Sequence, residues 1–178
     1  MRPMKTLITM VAIAGTLGVA AQEPQVTKPT VAGVTNFAKL ESTIACAGAT
    51  TVEGIEEVRK LGYKTIINLR EASETGANVE QSAEAAKTAG INYVHIPMNR
   101  NTPTPAVADA FLKAIVDPGA QPVFVHCGSG NRAAAMWMIK RMVVDKWDAE
   151  KAGTEAAALG LTNAALKQFV LEYVAAKK

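Results

Sequence analysis

One short segment combines a cysteine, two glycines and an arginine at a spacing that suits anion chemistry. Cys127 follows the apolar, β-branched run 122–126, and Arg132 opens an alanine-rich stretch five residues later. Between them, Gly128 and Gly130 give the backbone the freedom to turn tightly. The pattern predicts a buried strand that runs into a tight loop and then into a helix.

A loop of this kind can bind a tetrahedral oxyanion next to a nucleophile. Its backbone amides turn inward, and the N-terminus of the following helix adds positive potential. That field favours the thiolate form of Cys127, and Arg132 can donate two hydrogen bonds to an oxyanion. We therefore predict that Cys127 and Arg132 are catalytic; the alternative is a structural cysteine at the end of a core strand. The predicted anion-binding residues lie between them: Gly128, Ser129, Gly130 and Asn131.

Three further residues are predicted to support this site. His126 precedes the cysteine and is expected to order the loop by hydrogen bonding. Arg70 and Arg100 each follow a predicted strand. Because ligands bind at the carboxyl ends of parallel strands, we expect both arginines at the same rim as Arg132. Three arginines at one rim predict a small anionic or phosphorylated substrate, whereas ordinary surface arginines are the alternative.

Strand and helix signals alternate along the chain and predict the elements that position this loop. The strand signals fall at 37–45, 65–69, 91–96 and 122–126, and the helix signals at 52–61, 78–89, 105–116, 131–143, 148–159 and 162–176. Such alternation favours an α/β fold, a three-layer arrangement with a mainly parallel central sheet covered by helices. We predict one domain over residues 36–178.

The N-terminus is typical of a secretory signal peptide. Arg2 and Lys5 precede an uncharged apolar run, and small residues lead up to Ala21. We predict a signal peptide over residues 1–21, cleaved before Gln22, and a flexible lead-in over residues 22–35. The mature protein would then be periplasmic or secreted, without stable membrane insertion; the alternative is an uncleaved membrane anchor.

Composition excludes several classes of function. The 178 residues carry a formal net charge of +3 and only 5% aromatic residues, which argues against nucleic-acid binding by charge or base stacking. Two cysteines and two histidines are too few for a convincing zinc site, so we predict no metal and no cofactor. The oligomeric state stays open.

The segment VHCGSGNR resembles the signature loop of cysteine-dependent phosphatases, H-C-x-x-G-x-x-R. The stretches KTIINLRE, INYVHIPM and PVFVHC extend the resemblance, over residues 36–145, to the dual-specificity and tyrosine phosphatase-like superfamily. Small bacterial phosphatase-like domains related to β-lactamase-hydrolase-like proteins are the most similar members. The resemblance implies hydrolysis of phosphate monoesters, in which Cys127 forms a phosphocysteine and Arg132 holds the equatorial oxygens.

The spacing within the loop departs from the phosphatase signature. Four residues separate Cys127 from Arg132, whereas the signature has five. The string C-x-S-G-N-R resembles the active loop of rhodanese-type sulfurtransferases, although some phosphatase-like relatives share the shorter spacing. A sulfurtransferase with a persulfide on Cys127 is therefore the alternative function.

The general acid is absent from the place where the resemblance puts it. Dual-specificity-type enzymes carry an aspartate after the strand that corresponds to 91–96, but residues 97–103 contain no carboxylate. Asp109, Glu71 and Glu74 are the other candidates, each with a solvated surface carboxylate as the simpler interpretation. A weakly catalytic anion-binding module is thus a second alternative.

The second cysteine, Cys46, lies in a stretch that the resemblance places close to the active loop. A reversible disulfide between Cys46 and Cys127 would switch the enzyme off in an oxidising compartment. The alternative is a small buried residue in a tightly packed segment.

Overall fold

The computed structural model describes residues 25–177, which contain one six-stranded sheet. The strands are β1 (Val26–Thr27), β2 (Ala38–Leu40), β3 (Ile44–Ala47), β4 (Thr65–Asn68), β5 (Asn92–His95) and β6 (Val123–His126). Their order across the sheet is β1-β2-β3-β6-β4-β5. The four neighbouring strands β3, β6, β4 and β5 are parallel to one another. Strands β1 and β2 add an antiparallel edge next to β3. The predicted α/β class with a mainly parallel sheet is confirmed.

The central strands are buried along their whole length and mostly apolar because helices cover both faces of the sheet. Every residue of β3, β4 and β6 is buried. Parallel strands covered on both faces read as continuous apolar runs rather than as alternating patterns. That explains why β4 and β6 were recognisable from sequence.

Six helices surround the sheet in the described residues. They are α1 (Gly54–Lys60), α2 (Val79–Thr88), α3 (Pro105–Ile115), α4 (Asn131–Val143), α5 (Ala149–Leu159) and α6 (Ala164–Ala175). The four C-terminal helices share one apolar core, whereas α1 and α2 pack in a second core across the sheet. The central helix is α4, which contacts α3, α5 and α6 and is buried from its second residue to Ile139.

The structure differs from the sequence prediction at the N-terminal edge. Residues 22–35 were expected to be a flexible lead-in, but Val26 pairs with Leu40 in the sheet and Val34 forms bridges to Val31 and Thr50. Backbone pairing with β2 supplies this order, and two prolines in the segment hide it from sequence. The predicted signal peptide, residues 1–21, lies outside the described residues. Within residues 25–177 no helix is long and apolar enough to cross a membrane.

Candidate active site

The cysteine loop joins the end of β6 to the start of α4 and is fastened to neighbouring backbone. The Cys127 amide donates to the Ala47 carbonyl at 3.1 Å, and Gly128 accepts from Ala49 at 3.1 Å. On its outer side, Asn36 Nδ2 donates to the Ser129 carbonyl at 3.1 Å. The end of β3 therefore holds the loop in place, and Cys127 is almost fully buried.

Two glycines allow the loop and the end of β3 to come this close. Gly130 has a φ of +99° and closes the turn as the N-cap of α4. Gly48, just beyond β3, could not carry a side chain, since a Cβ there would collide with Thr35 Oγ1. Both positions are places where an L side chain would strain the backbone or clash.

The sulfur of Cys127 receives a backbone hydrogen bond from the helix end of the loop. The Gly130 amide donates to Cys127 Sγ at 3.1 Å. This amide belongs to the N-terminus of α4, where the unpaired amides and the helix dipole favour negative charge. Cys127 Sγ thus lies at the N-terminus of α4.

Arg132 projects from the first turn of α4, and hydrogen bonds from Nη1 and Nη2 fix one edge of its guanidinium. Its Nη1 donates to the carbonyls of Leu69 and Met98 at 3.1 and 2.7 Å. Nη1 and Nη2 also meet the two carboxylate oxygens of Glu74 at 2.6 and 2.8 Å. Within residues 25–177 no oxygen accepts a hydrogen bond from Nε–H or from the second Nη2–H. Those two donors are the pair that an oxyanion would need. Burial works to lower the pKa of Arg132, whereas Glu74 and the nearby Cys127 side chain raise it.

Glu74 is the partner of Arg132 that sequence reasoning did not identify. Burial works to raise the pKa of its carboxyl, but hydrogen bonds from Arg132, the Glu71 amide and Arg70 outweigh it and lower the pKa to about 2. Glu74 is therefore ionised at neutral pH and cannot donate a proton there. This excludes one of the three candidate acids.

Arg70 is buried and acts within its own loop instead of facing the cysteine loop. It donates to the carbonyls of Gly76 at 2.7 Å and Thr75 at 2.6 Å, and to Glu74 Oε2 at 3.3 Å. Arg70 thus supports Glu74 and shapes the β4–α2 loop. Arg70 and Arg132 donate to the same Glu74 oxygen, Oε2, so Arg70 lies beside Arg132 and supports it indirectly.

The remaining predicted residues occupy different surroundings. Arg100 is exposed, and within residues 25–177 it makes no hydrogen bond or ion pair with protein groups. Asp109, a candidate acid, accepts a hydrogen bond from Tyr173 Oη at 2.6 Å and forms an ion pair with Lys177 at 2.8 Å. Its carboxylate is therefore engaged by α6 and the residues just after it. Glu71 accepts from Asn99 Nδ2 at 3.1 and 3.3 Å, in the loop after β5.

His126 is buried next to the site, and among residues 25–177 its Nδ1 finds no hydrogen-bond partner. Burial, followed by the charges of Arg70 and Arg132, lowers the pKa of its imidazole to about 3. His126 is therefore neutral at physiological pH. Its ring stacks on Phe124 with centroids 5.7 Å apart, so packing of the ring contributes to the order of the loop.

Asn131 fastens the loop to a distant turn, which sequence reasoning did not foresee. Its Oδ1 accepts from the amides of Thr162 and Asn163, both at 2.8 Å, and its Nδ2 donates to Ser129 Oγ at 3.4 Å. The Asn131 side chain thus anchors the loop to the α5–α6 connection. The side-chain oxygen of Asn131 is therefore occupied, and its backbone amide and the second Nδ2–H are the donors left for an anion.

Cys46 lies in β3, one strand away from the loop. It pairs with Val125, two residues before Cys127, and both cysteines are free thiols. Burial is the main reason that the pKa of Cys46 is raised, and Cys127 and Glu155 add to the effect. Cys46 is thus a poor thiolate in this position. Among the described residues no cluster of side chains suits a metal ion.

A buried parallel strand that delivers a cysteine to a helix N-terminus, with an arginine one turn later, defines the class of cysteine-dependent phosphatase-like proteins. Residues 24–171 match the family model described as DSP-PTPase phosphatase fused to NAD+ kinase. The chain belongs to that family. No curated protein matched the sequence significantly.

Solved structures share this fold at low sequence identity. A protein from Shewanella putrefaciens CN-32 described as a DUF442 phosphatase is 22% identical, with a TM-score of 0.66 over 82% of this chain and 94% of its own. The core catalytic domain of the PP-IP phosphatase SIW14 from S. cerevisiae, in complex with citrate, is 20% identical, with a TM-score of 0.65 over 81% and 88%. A cysteine-to-serine variant of P. aeruginosa TpbA in complex with pTyr is 16% identical, with a TM-score of 0.62 over 87% and 90%.

Proposed function

We propose that this phosphatase-family protein hydrolyses phosphate monoesters with Cys127 as the nucleophile. The observation that carries the proposal is the position of Cys127 Sγ, which accepts a hydrogen bond from the Gly130 amide at the N-terminus of α4. Arg132 supports it, because Glu74 and two carbonyls hold one edge of the guanidinium and leave two N–H groups for an oxyanion. The buried arrangement is preorganised, which is the main source of electrostatic stabilisation in such sites.

The reaction has two steps. In the first, the Cys127 thiolate attacks phosphorus, the S–P bond forms and the bond to the leaving-group oxygen breaks, while that oxygen takes a proton. In the second, water attacks phosphorus, the S–P bond breaks, and inorganic phosphate leaves with the thiolate restored. The loop amides and Arg132 bind the three equatorial oxygens throughout and stabilise the charge that they share in each transition state.

The substrate class is a small phosphorylated or otherwise anionic molecule. The SIW14 core was solved with citrate and the TpbA variant with pTyr, which supports a site for such ligands in this fold. In this chain the charge in favour of an anion comes from Arg132, since Arg70 is occupied within its own loop.

Two alternatives rest on weaker support. The four-residue spacing from Cys127 to Arg132 suggested a sulfurtransferase, but the family match and the structural neighbours are phosphatases and do not favour it. A weakly catalytic anion-binding module would bind phosphate without turnover. The experiment that follows separates it from an enzyme.

The test is hydrolysis of 2,4-dinitrophenyl phosphate by the reduced protein and by Cys127→Ser, with Cys46→Ser as the matched cysteine control. We expect Cys127→Ser to lose all turnover and Cys46→Ser to keep it. Arg132→Lys should lose most of kcat/KM, because a lysine cannot donate two hydrogen bonds in a fixed fork. Equal rates for the wild type and Cys127→Ser would refute the proposal.

We also propose that the protein is exported, on the strength of its N-terminal sequence. Arg2 and Lys5 precede an apolar run that ends in small residues before Gln22. Mass spectrometry of the protein from the cells that produce it should find an N-terminus at Gln22. A protein that retains Met1 in the cytoplasmic fraction would contradict export.

A further inference from the structure

The loops that follow β4 and β5 both contact the guanidinium of Arg132 where they begin. The carbonyls of Leu69, after β4, and Met98, after β5, both accept from Arg132 Nη1. The residues that directly follow Leu69 and Met98 therefore lie at the rim of the proposed phosphate site. A proton donor for the leaving group has to come from this rim, since it must reach an oxygen of a phosphate bound to Arg132.

Glu71 and Glu74 lie on this rim, in the loop after β4, and their carboxylates make different contacts. Glu74 turns inward and forms the two-point ion pair with Arg132. Its oxygen Oε1 also accepts from the Glu71 backbone amide at 2.9 Å, so one oxygen links Glu71 to the arginine. The backbone of Glu71 is thereby fixed beside the site, while its own carboxylate bonds to no arginine or lysine within residues 25–177.

The second loop holds the Glu71 carboxylate. Asn99 Nδ2 donates to both of its oxygens at 3.1 and 3.3 Å. The Asn99 side chain is itself fixed, because its Oδ1 accepts from the amides of Asn101 and Thr102 at 2.9 and 3.1 Å. Asn99 lies directly after Met98, so a residue of the loop in which the phosphatase resemblance expects the acid holds the Glu71 carboxylate, although Glu71 itself belongs to the loop after β4.

We propose, on the basis of the proposed phosphatase function, that Glu71 is the general acid and that Asn99 is its positioning residue. In the first step the carboxylic acid of Glu71 gives its proton to the leaving-group oxygen as the P–O bond breaks. The resulting carboxylate takes a proton from water as that water attacks the phosphocysteine, which restores the acid. Glu71 is half-buried and open to solvent on one side, as a group that exchanges protons with water requires.

The proposal is tested by varying the leaving group. Protonation matters for phenyl phosphate, which releases a basic phenolate, and matters little for 2,4-dinitrophenyl phosphate. We expect Glu71→Gln to lower kcat/KM for phenyl phosphate by about 100-fold and to leave kcat/KM for the dinitrophenyl ester within a few-fold of wild type, because kcat/KM reports only the step in which the leaving group departs. Asn99→Ala should give the same selectivity between the two esters with a smaller loss.

The experiment distinguishes failure of the Glu71 proposal from failure of the proposed phosphatase function. Equal losses on both esters, or no loss on either, would overturn the role of Glu71 while leaving the phosphatase function intact. Hydrolysis of the dinitrophenyl ester that does not depend on Cys127 would overturn both proposals. A matched control is Glu80→Gln, an exposed carboxylate on α2, which should leave both rates unchanged. Should Glu71→Gln fold poorly, Asn99→Ala decides the case by the same ratio of the two rates.

Discussion

Glu74 and Arg132 form a two-point ion pair, with Oε1 2.6 Å from Nη1 and Oε2 2.8 Å from Nη2. The arginine is almost completely buried, and the glutamate side chain is 25% exposed. A planar guanidinium that is fixed along one edge presents its other edge in a single orientation. Glu74 therefore positions Arg132 for an oxyanion and does not itself exchange protons.

Removal of Glu74 should weaken the site for every substrate. Glu74→Ala leaves Arg132 free to turn toward solvent and to lose its alignment with the loop. We expect kcat/KM to fall by roughly 10- to 100-fold, equally for phenyl phosphate and 2,4-dinitrophenyl phosphate. The measurement is kcat/KM for both esters, with Glu80→Ala on α2 as the control. A loss confined to phenyl phosphate would instead identify Glu74 as the acid.

Substitutions of Asn131 should separate the stability of the loop from its charge. Asn131→Ala leaves the amides of Thr162 and Asn163 without their acceptor, and we expect it to lower the free energy of unfolding by about 1–2 kcal/mol. Asn131→Asp keeps the acceptor but places a negative charge beside the loop, so stability should persist while KM for a phosphate ester rises. Urea unfolding and steady-state kinetics check the pair. A lower KM in Asn131→Asp would contradict this account.

Acid should destabilise the protein through His126. The folded-state pKa of about 3 lies below the ordinary value of 6.5, so the unfolded chain binds a proton that the folded chain refuses. Stability is thus retained above pH 6.5 and falls as the pH drops from there toward 3, by about 2 kcal/mol between pH 7 and pH 5. Urea unfolding of the wild type and His126→Asn at both values measures it. A fall of the same size in the variant would assign the effect elsewhere.

Oxidation should affect Cys127 without forming a disulfide to Cys46. Cys46 pairs with Val125, which makes the two cysteines diagonal neighbours on adjacent strands. With parallel strands about 4.8 Å apart and a rise of about 3.3 Å per residue, a two-residue offset puts the Cα atoms about 8 Å apart, whereas a disulfide needs them closer than about 7 Å. With peroxide we expect inactivation at equal rates in the wild type and Cys46→Ser, with oxidised Cys127 found as a sulfur acid by mass spectrometry. A peptide cross-linked through both cysteines would show that the strands move enough to pair them.

The sequence by itself determined the elements that depend on neighbouring residues. Apolar runs predicted β4 and β6, and Cys127, Gly128, Gly130 and Arg132 predicted the strand–loop–helix unit. The reason is that all of these residues lie within a few positions of one another, so local backbone preferences and burial decide their structure. The phosphatase resemblance followed from the same contiguous segment.

Only the tertiary structure decided which side chains complete the site. Glu74 meets Arg132 from 58 residues away, and Asn36 reaches Ser129 from 93 residues away. These contacts exist because β6 lies between β3 and β4, which brings the end of β3 and the loop after β4 to the cysteine loop. Strand order of this kind is not encoded in the spacing of residues along the chain, and only the structure shows that Arg70 supports the site through Glu74.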